Sequence, residues 1–516
     1  MIGENRETGS VPARSIVEDI LLFAACVVWF SIVATNRLIA KDEGFYVVAA
    51  QLVSEGRVPY LDFFYPQMPY LPYLYGSFLR LFGSNWEIAR FLSVLLTAGC
   101  GVCLFRMVRS EFGRVSAYFG VLLFVSSIFV FPWFVTVQTY ASSIFFLLAS
   151  AALLESALER KKNSWICIAG LLFAVSVGIR LFFIGLLPLF IIRLLRARAF
   201  GWQNCKQFLV GFGLGMLPCG ILFAAAPNQF LFNNLGYHLI RSGGTFFESL
   251  SDKWKILQNL LGLRKSLQFS GYQILVLVLG SALAVFSFRR VSSVVFISGL
   301  GAGLFLLHFL PSPNYNQYFC TVVPFFSIAV ASLFTCSPHQ LMSKWPYAVS
   351  ILVVGLIYFW PVPFEYSRYT ETGQGVVGIR NPLDVKRWRV ESLTHLRNTL
   401  NELPPESAIL SLWPGWLFGT RLKNFPGTEN HFGAKVADRL SENERALYSV
   451  RSYSDERKLL RSGQIGYVLG ERKMFAQLGF EKLQKFFVKR WSIDRIELWQ
   501  RVDPAAEVQN ASRLKQ

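Results

Sequence analysis

The sequence predicts a polytopic α-helical membrane protein with about 11 transmembrane helices, a cytoplasmic N-terminus and a small C-terminal extracytoplasmic α/β domain. Of its 516 residues, 53% are hydrophobic and 16% are aromatic, and the mean hydropathy is +0.40. A soluble domain of this size buries its core with far less apolar sequence. The excess lies in runs long enough to cross a bilayer: 19–40, 88–108, 116–135, 138–156, 164–180, 181–196, 207–227, 271–288, 291–310, 317–336 and 345–363.

Basic residues in the short links between these runs indicate the orientation. Arg106, Arg109 and Arg114 share one link, and the basic residues of 160–162, 193–206 and 289–290 fall on the same face if the N-terminus is cytoplasmic. The net charge of +19 is therefore a signature of membrane topology, and a nucleic-acid partner is not expected. The predicted parts are a cytoplasmic tail (1–17), a membrane domain (18–363) with outer loops 41–87 and 228–270, an outer domain (364–503) and a disordered tail (504–516).

The segments outside the membrane carry their own patterns. The run 19–40 is too long for a signal-peptide core and lacks a small-x-small cleavage site, so we expect an uncleaved first helix. Apolar spacing predicts interfacial helices at 44–55 and 69–82. In the tail, we expect helices at 391–403, 436–448 and 455–461, strands at 408–413 and 465–469, and a hairpin at 486–499.

Asp42 and Glu43 form an acidic pair at the outer end of the first apolar run. Acids at a lipid boundary are costly, which indicates a function. Asp42 could take a proton from a substrate hydroxyl presented from the outer side. Equally, Asp42 could cap the helix that begins at Gly44, with Glu43 in its first turn. Asp62, in the same loop, could assist a site or bind backbone donors in the turn after Pro59.

Three basic residues near the outer face could bind an anion. Arg180 interrupts an apolar sequence at the outer end of a span, where it could bind a lipid phosphate or reach the headgroup region by snorkelling. His238 and Arg241 are three residues apart and would share one helical face. That face could bind phosphate and stabilise a leaving group, or could simply be exposed.

Polar and aromatic residues mark two further segments. Tyr315, Gln317 and Tyr318 lie at the mouth of the tenth span, where tyrosines usually form the interfacial belt and Gln317 could hydrogen-bond a sugar. In the tail, Trp413 and Trp416 could stack on a sugar, although the sequence favours core packing for them.

Several functional classes are excluded by missing motifs. The sequence has no Walker A loop, no GxGxxG in a βαβ setting, no HExxH, no paired CxxC of zinc type and no GxSxG. Acidic residues are scarce within the spans, which argues against an ion-coupled transporter.

The first outer loop resembles that of the GT-C superfamily of membrane glycosyltransferases. The resemblance is carried by Asp42-Glu43-x-x-Tyr46, then Ala49, Leu52, Gly56, Pro59-Tyr60 and Asp62, and is strongest to the bacterial group similar to protein O-mannosyltransferases and lipid A aminoarabinose transferases. Arg90 in EIARFLSVLL and the segment YNQYFCTVVPFF fit the same pattern. The resemblance in architecture covers essentially the whole chain. The resemblance in individual residues is confined to the first loop and to 311–326.

This resemblance implies an inverting transferase of the bacterial inner membrane, acting on its periplasmic face. The donor would be a sugar on polyprenyl phosphate, and the acceptor a hydroxyl of an envelope glycan, lipid or protein. Asp42 would be the general base, Glu43 would order the loop or help to hold a divalent cation, and Arg180 and Arg241 would stabilise the leaving phosphate. The remaining substrate-binding candidates are Tyr46, Asp62, Arg90, His238, Tyr315, Gln317 and Tyr318.

Two departures from the family pattern affect these expectations. Many relatives have a lysine before the proline of the first loop, where this chain has Gln67-Met68-Pro69. Many also have an acid in the second outer link, where this chain has 136–139 as Thr-Val-Gln-Thr. No cofactor is firmly implied, and Mg²⁺ or Mn²⁺ is the one left open. The alternatives are a ligase or polymerase of glycans on polyprenyl pyrophosphate, and a lipid or glycan transporter in which Asp42 is dispensable.

Overall fold

The computed structural model of the chain describes residues 13–37, 39–197, 201–241, 246–263, 272–334, 352, 354–371, 389–482, 484–493 and 495–502. The predicted tail 504–516, residues 1–12 of the predicted N-terminal tail, and most of 345–353 in the predicted last span lie outside these ranges. Predictions that concern those residues therefore stay predictions.

The membrane region is a bundle of apolar helices. Five described segments are long and apolar enough to cross a membrane: Ser15–Asn36, Trp86–Val125, Thr139–Arg160, Gly201–Ala225 and Asn316–Phe334. Four shorter apolar helical segments accompany them: Asn163–Ile179, Leu181–Leu195, Tyr272–Ser287 and Ser292–Leu307. The predicted total of about 11 spans stays a prediction.

In chain order the helices up to residue 371 are α1 (Ala13–Asn36), α2 (Glu43–Ser54), α3 (Tyr70–Phe82), α4 (Trp86–Val125), α5 (Phe131–Phe134), α6 (Thr139–Arg160), α7 (Asn163–Ile179), α8 (Leu187–Leu195), α9 (Gly201–Ala225), α10 (Pro227–Leu231), α11 (Tyr237–Arg241), α12 (Phe246–Leu260), α13 (Tyr272–Ser287), α14 (Ser292–Leu307), α15 (Val323–Ala331) and α16 (Val362–Glu371). Helix α4 packs on α1, α6 and α15, and α7 packs on α6 and α9.

Helix α4 contains two helical legs joined at Gly113. The backbone there has φ 85° and ψ 174°, a conformation that glycine adopts without steric cost. The second leg ends at Val125, so the predicted run 116–135 is not one continuous helix. Residues 127–144 are all buried, so their apolar character reflects packing inside the protein, which the sequence alone does not distinguish from lipid exposure.

Ion pairs tie α1 to α4 at one end of the bundle. Arg106 Nε lies 2.8 Å from Asp19 Oδ2, and Arg109 Nη1 lies 3.1 Å from Glu18 Oε2. Arg90, on the same leg of α4, lies about 24 Å from Arg106 at the usual helical rise. The basic links and the first outer loop therefore lie at opposite ends of this leg.

The two predicted interfacial helices are present within about one residue of their predicted bounds, as α2 and α3. They pack on each other, and Gly76 permits the contact because a Cβ there would lie 2.7 Å from the Ala50 carbonyl oxygen. Gly83 follows α3 with a positive φ of 94°, which ends the helix.

The tail forms a four-stranded sheet with helices around it. The strands are β1 (Ile409–Ser411), β2 (Tyr467–Glu471), β3 (Phe487–Ile493) and β4 (Ile496–Arg501), in the order β1-β2-β4-β3. Only β1 and β2 are parallel among these four strands, and β3 and β4 form the expected hairpin. The helices of the tail are α17 (Arg389–Asn401), α18 (Gly433–Ala437), α19 (Glu442–Leu447), α20 (Tyr453–Ser462) and α21 (Arg472–Gln477).

Candidate active site

A cleft of about 540 Å³ opens where α2, the link before α6, the end of α7, α11 and the tail meet. It brings together most of the residues singled out in the sequence. Its lining consists of Ala40, Lys41, Asp42, Phe45, Tyr46, Pro66, Gln67, Trp133, Gln138, Thr139, Tyr140, Arg180, Tyr237, His238, Arg241, Tyr315, Gln317, Tyr318, Phe432, Lys435 and Lys473.

Asp42 is the one carboxylate among these described lining residues. It occupies the N-cap position of α2, but its backbone is helical (φ −75°, ψ −19°) and its side chain makes no capping hydrogen bond. The capping interpretation is therefore not what the structure shows. Burial raises the pKa of Asp42, and the positive charges of Arg241, Lys41 and Lys435 oppose that rise. The carboxylate is thus free to accept a proton from a molecule in the cleft.

Glu43 is buried beside Asp42 and faces away from the cleft. Arg90 donates from Nε to Oε1 at 2.9 Å and from Nη2 to Oε2 at 2.5 Å. The backbone amides of Ala40 and Val137 donate to the same carboxylate at 2.8 and 3.0 Å. Burial alone would raise the pKa of Glu43, but the charge and hydrogen bonds of Arg90 outweigh it and lower the pKa. With both oxygens so used, Glu43 and Arg90 order the loop that carries Asp42.

Arg180 brings an uncompensated positive charge to the cleft. It follows α7, is 7% exposed, and its Nη1 has no hydrogen-bond partner among the described residues. Its guanidinium carbon lies 5.0 Å from the ring centre of Tyr140 and 5.6 Å from that of Tyr318. Aromatic faces attract a cation but do not neutralise it. A buried cation in this setting is stabilised by an anion, and the cleft is where that anion can bind.

His238 and Arg241 both line the cleft from α11, but only Arg241 carries a positive charge at neutral pH. Arg241 Nη2 lies 3.4 Å from the Tyr315 hydroxyl. His238 Nε2 lies 3.1 Å from the Pro66 carbonyl oxygen, to which it donates in the neutral tautomer. Burial and the nearby Arg241 lower the pKa of His238 to about 4. At neutral pH, His238 can therefore hydrogen-bond a substrate through Nδ1 but does not neutralise a phosphate.

The other predicted residues divide between the cleft and its surroundings. Tyr46, Gln317 and Tyr318 line the cleft. Asp62 does not, because its Oδ2 accepts from the Val58 amide at 2.6 Å in an exposed turn. The turn interpretation of Asp62 therefore matches the structure, and no substrate contact is assigned to it.

The lining residues that the sequence did not mark as site candidates include three lysines and one aromatic ring beside the charged groups: Lys41, Lys435, Lys473 and Phe432. Phe432 lies near two of the cations, 5.0 Å from Lys435 Nζ and 5.6 Å from the Arg241 guanidinium carbon. Lys41 adjoins the acidic pair and could have been noticed. The two lysines of the tail belong to no recognisable motif in the sequence.

The cleft does not have the ligand set of a divalent-cation site. Within the described part of the chain, no three His, Cys, Asp or Glu side chains converge to hold a metal ion. Asp42 is surrounded instead by basic side chains, which compete with a metal for the carboxylate. The donors present do not fit Mg²⁺ or Mn²⁺, and no step is derived through such an ion.

Comparison with known proteins gives the architecture a family context. Residues 66–222 match the family model of dolichyl-phosphate-mannose-protein mannosyltransferases. No curated protein matches the chain by sequence. Among solved structures, ArnT from Cupriavidus metallidurans bound to undecaprenyl phosphate superposes with a TM-score of 0.65 at 14% identity, covering 95% of this chain and 99% of ArnT.

A second similar structure is the oligosaccharyltransferase AglB of Archaeoglobus fulgidus. Its complex with an inhibitory peptide and a dolichol-phosphate has a TM-score of 0.50 at 10% identity, covering 93% of this chain and 74% of AglB. At these identities the likeness establishes the fold. The expected superfamily is confirmed at the level of the fold: the chain has the fold of the GT-C superfamily of membrane glycosyltransferases, and residues 66–222 match the protein-mannosyltransferase family model.

Proposed function

We propose that the protein is an inverting glycosyltransferase that moves a sugar from a polyprenyl-phosphate donor to an acceptor hydroxyl on the outer face of a bacterial inner membrane. One observation carries the proposal: the cleft holds a single described carboxylate, Asp42, surrounded by the cations Lys41, Arg180, Arg241, Lys435 and Lys473. A base beside an anion-binding surface is what transfer from a lipid phosphate requires. The undecaprenyl phosphate bound by the structurally similar ArnT supports the same class of donor.

In the proposed reaction, the acid and two of the arginines of the cleft have separate roles. Asp42 takes the proton of the acceptor hydroxyl, and the oxygen attacks the anomeric carbon on the face opposite the phosphate. A new glycosidic bond forms, the bond between the anomeric carbon and the phosphate oxygen breaks, and its electron pair leaves with polyprenyl phosphate. The phosphate gains negative charge in this step, which Arg180 and Arg241 stabilise. His238, neutral, orients a hydroxyl, and Gln317 hydrogen-bonds the sugar.

The number of cations in the cleft supports one alternative donor, a sugar or glycan on polyprenyl pyrophosphate. A polyprenyl-pyrophosphate donor carries more charge than a monophosphate and suits a cleft with five cationic side chains. The acceptor remains a glycan, a lipid or a protein, and its hydroxyl must reach Asp42 from the aqueous side. A transporter without chemistry has no use for a free carboxylate at this position.

The test compares wild type with Asp42→Asn in lipid nanodiscs. Both are given radiolabelled sugars on polyprenyl monophosphate and on polyprenyl pyrophosphate, with membrane lipid, glycan and protein fractions as acceptors. We expect transfer by wild type and a loss of at least about 100-fold in the variant, with donor binding retained. Equal transfer by both proteins would remove Asp42 as the base. Binding of donor by wild type without transfer to any acceptor would favour the transporter.

A further inference from the structure

The tail reaches the Asp42 segment through one buried tryptophan, Trp413. This residue lies between β1 and a 3-10 turn, Pro414–Leu417, and is 1% exposed. Its indole Nε1 donates to the Lys41 carbonyl oxygen at 2.8 Å. The residue immediately before Asp42 is therefore fixed by a contact more than 370 positions away in sequence.

The same indole ring also fixes the residue two positions after Asp42. A Cβ at Gly44 would lie 2.5 Å from Trp413 Cε2 and Cζ2, so Gly44 packs directly on the ring. Gly415 completes the contact, because a Cβ there would lie 2.3 Å from the ring and 2.7 Å from the Gly44 Cα. Any larger side chain at either position would force the tail away from the loop.

Trp413 is itself held rigidly. Its ring stacks parallel to that of Trp86, the first residue of α4, with centroids 6.1 Å apart and an interplanar angle of 3°. Trp416 packs edge-on against it at 5.5 Å. The backbone carbonyl oxygen of Trp413 accepts a hydrogen bond from the Ser411 hydroxyl at 2.8 Å. A ring with so little freedom can transmit a fixed position to its neighbours.

Asp42 thus stands between two anchors. Towards the membrane, Glu43 is bound by Arg90, and towards the tail, Lys41 and Gly44 are bound by Trp413. Asp42 itself makes no capping hydrogen bond, so its carboxylate is aimed by its neighbours' contacts. Correct aim matters because a displacement of about 1 Å at a reacting group can cost about 100-fold in rate.

We propose that Trp413 is a positioning residue for Asp42, so that the tail is part of the catalytic machinery in addition to any role in acceptor binding. The proposal rests on the proposed function for its catalytic meaning. The structural part of the proposal, that Trp413 orders the segment around Asp42, can be tested independently of the activity. Sugar stacking by Trp413 is not available because the ring is buried against protein on both sides.

The experiment uses Trp413→Phe, which keeps an aromatic ring but removes the indole donor. Trp499→Phe is the matched control: it also removes an indole donor from the tail, but one whose Nε1 donates to Glu497 Oε2 at 3.0 Å within strand β4. Hydrogen exchange of the peptide covering 39–47 is measured in nanodiscs, together with kcat and the KM for donor and acceptor. Equal thermal midpoints of the three proteins establish that the variants are folded.

We expect Trp413→Phe to speed exchange of the 39–47 peptide and to lower kcat about tenfold, with both KM values within about twofold of wild type. Trp499→Phe should leave both readouts unchanged. Unchanged exchange in Trp413→Phe would overturn the proposal. A rise in acceptor KM with kcat unchanged would also overturn it, because the tail would then act by binding acceptor.

A second variant tests the contact from the other side. Gly44→Ala places a methyl against the indole, and should loosen the peptide in wild type but add little in the Trp413→Phe background, where the second ring is absent. Fully additive effects would contradict the direct contact. If wild type transfers no sugar, the proposed function fails, while the exchange measurements still decide whether Trp413 orders the segment.

Discussion

At the scale of single residues, the proposed chemistry rests on two neighbouring acids with different environments. Asp42 faces a cleft and several cations, whereas Glu43 is enclosed by Arg90 and backbone amides. Burial raises the pKa of Asp42, while the paired arginine lowers the pKa of Glu43. One acid is thereby left as a proton acceptor and the other is kept charged as a structural anchor.

The raised pKa of Asp42 predicts the pH dependence. A base works only when deprotonated, so kcat/KM should fall as the pH decreases through a pKa above the usual aspartate value of about 3.9. Lys435→Met removes a cation that opposes the rise, so its acidic limb should move to higher pH. Lys485→Met, at an exposed site outside the cleft, is the control and should leave the profile unchanged. A shift to lower pH in Lys435→Met would contradict this electrostatic account.

Arg180 should be required for the donor phosphate. Arg180→Gln removes the buried cation, and we expect transfer to fall by about 100-fold or more, with weaker binding of polyprenyl phosphate. Arg180→Lys retains the charge but not the planar fork, and should lose less. Arg290→Gln, exposed in the turn after α13, is the matched control. Wild-type activity in Arg180→Gln would show that the anion binds elsewhere in the cleft.

At the scale of elements, the site depends on how α2 and α4 are joined. Helix α2 starts with Glu43, and Arg90 lies on the second turn of α4, so their ion pair fixes the distance between the outer loop and the bundle. Arg90 also donates to the carbonyl oxygens of Ala34 and Arg37, which are close to the end of α1. The Arg90 guanidinium thus connects α4 to the start of α2 and to the end of α1, next to Asp42.

Breaking this buried pair should destabilise the protein. Glu43→Gln leaves Arg90 without its charge partner, and we expect a loss of about 3–5 kcal/mol, measured as a lower thermal midpoint in detergent. Replacing both partners, as in Glu43→Gln with Arg90→Met, should cost less than the single change because no unpaired charge remains. Equal midpoints of wild type and Glu43→Gln would contradict the structural role.

At the scale of the whole molecule, the tail covers one side of the cleft. Lys435 and Lys473 reach the cleft, Trp413 binds the loop, and Phe232 of the second outer loop stacks on Tyr448 at 3.8 Å. Arg439 Nη1 donates to the carbonyl oxygen of Ile240 at 2.5 Å. The tail is therefore in contact with both outer loops and must lie on the same side of the membrane as they do.

Orientation can be tested by thiol labelling. Glu442→Cys introduces an exposed thiol in the tail, and a membrane-impermeant maleimide added to intact spheroplasts should label it. Ser110→Cys, in the basic link near the junction of the two legs of α4, should be labelled only after permeabilisation. The reverse pattern would place the cleft on the cytoplasmic face and exclude the proposed orientation.

The sequence by itself determined the class of the protein and the location of its acids. Apolar runs, basic links and the Asp42-Glu43 loop are local patterns. Such patterns can be recognised from the sequence because hydrophobic periodicity, charge and turn residues all involve neighbouring positions. The interfacial helices α2 and α3 and the β3-β4 hairpin were predictable for the same reason.

Only the tertiary structure decided which acid is free and what surrounds it. The pairing of Glu43 with Arg90 spans 47 positions, and the contact of Trp413 with Lys41 spans 372. The burial of 127–144 inside the protein and the arrival of Lys435 at the cleft likewise depend on packing between distant segments. Such contacts produce no pattern of spacing in a single sequence. Each joins two single residues that are far apart in the chain, and the packing of the intervening segments determines whether they meet.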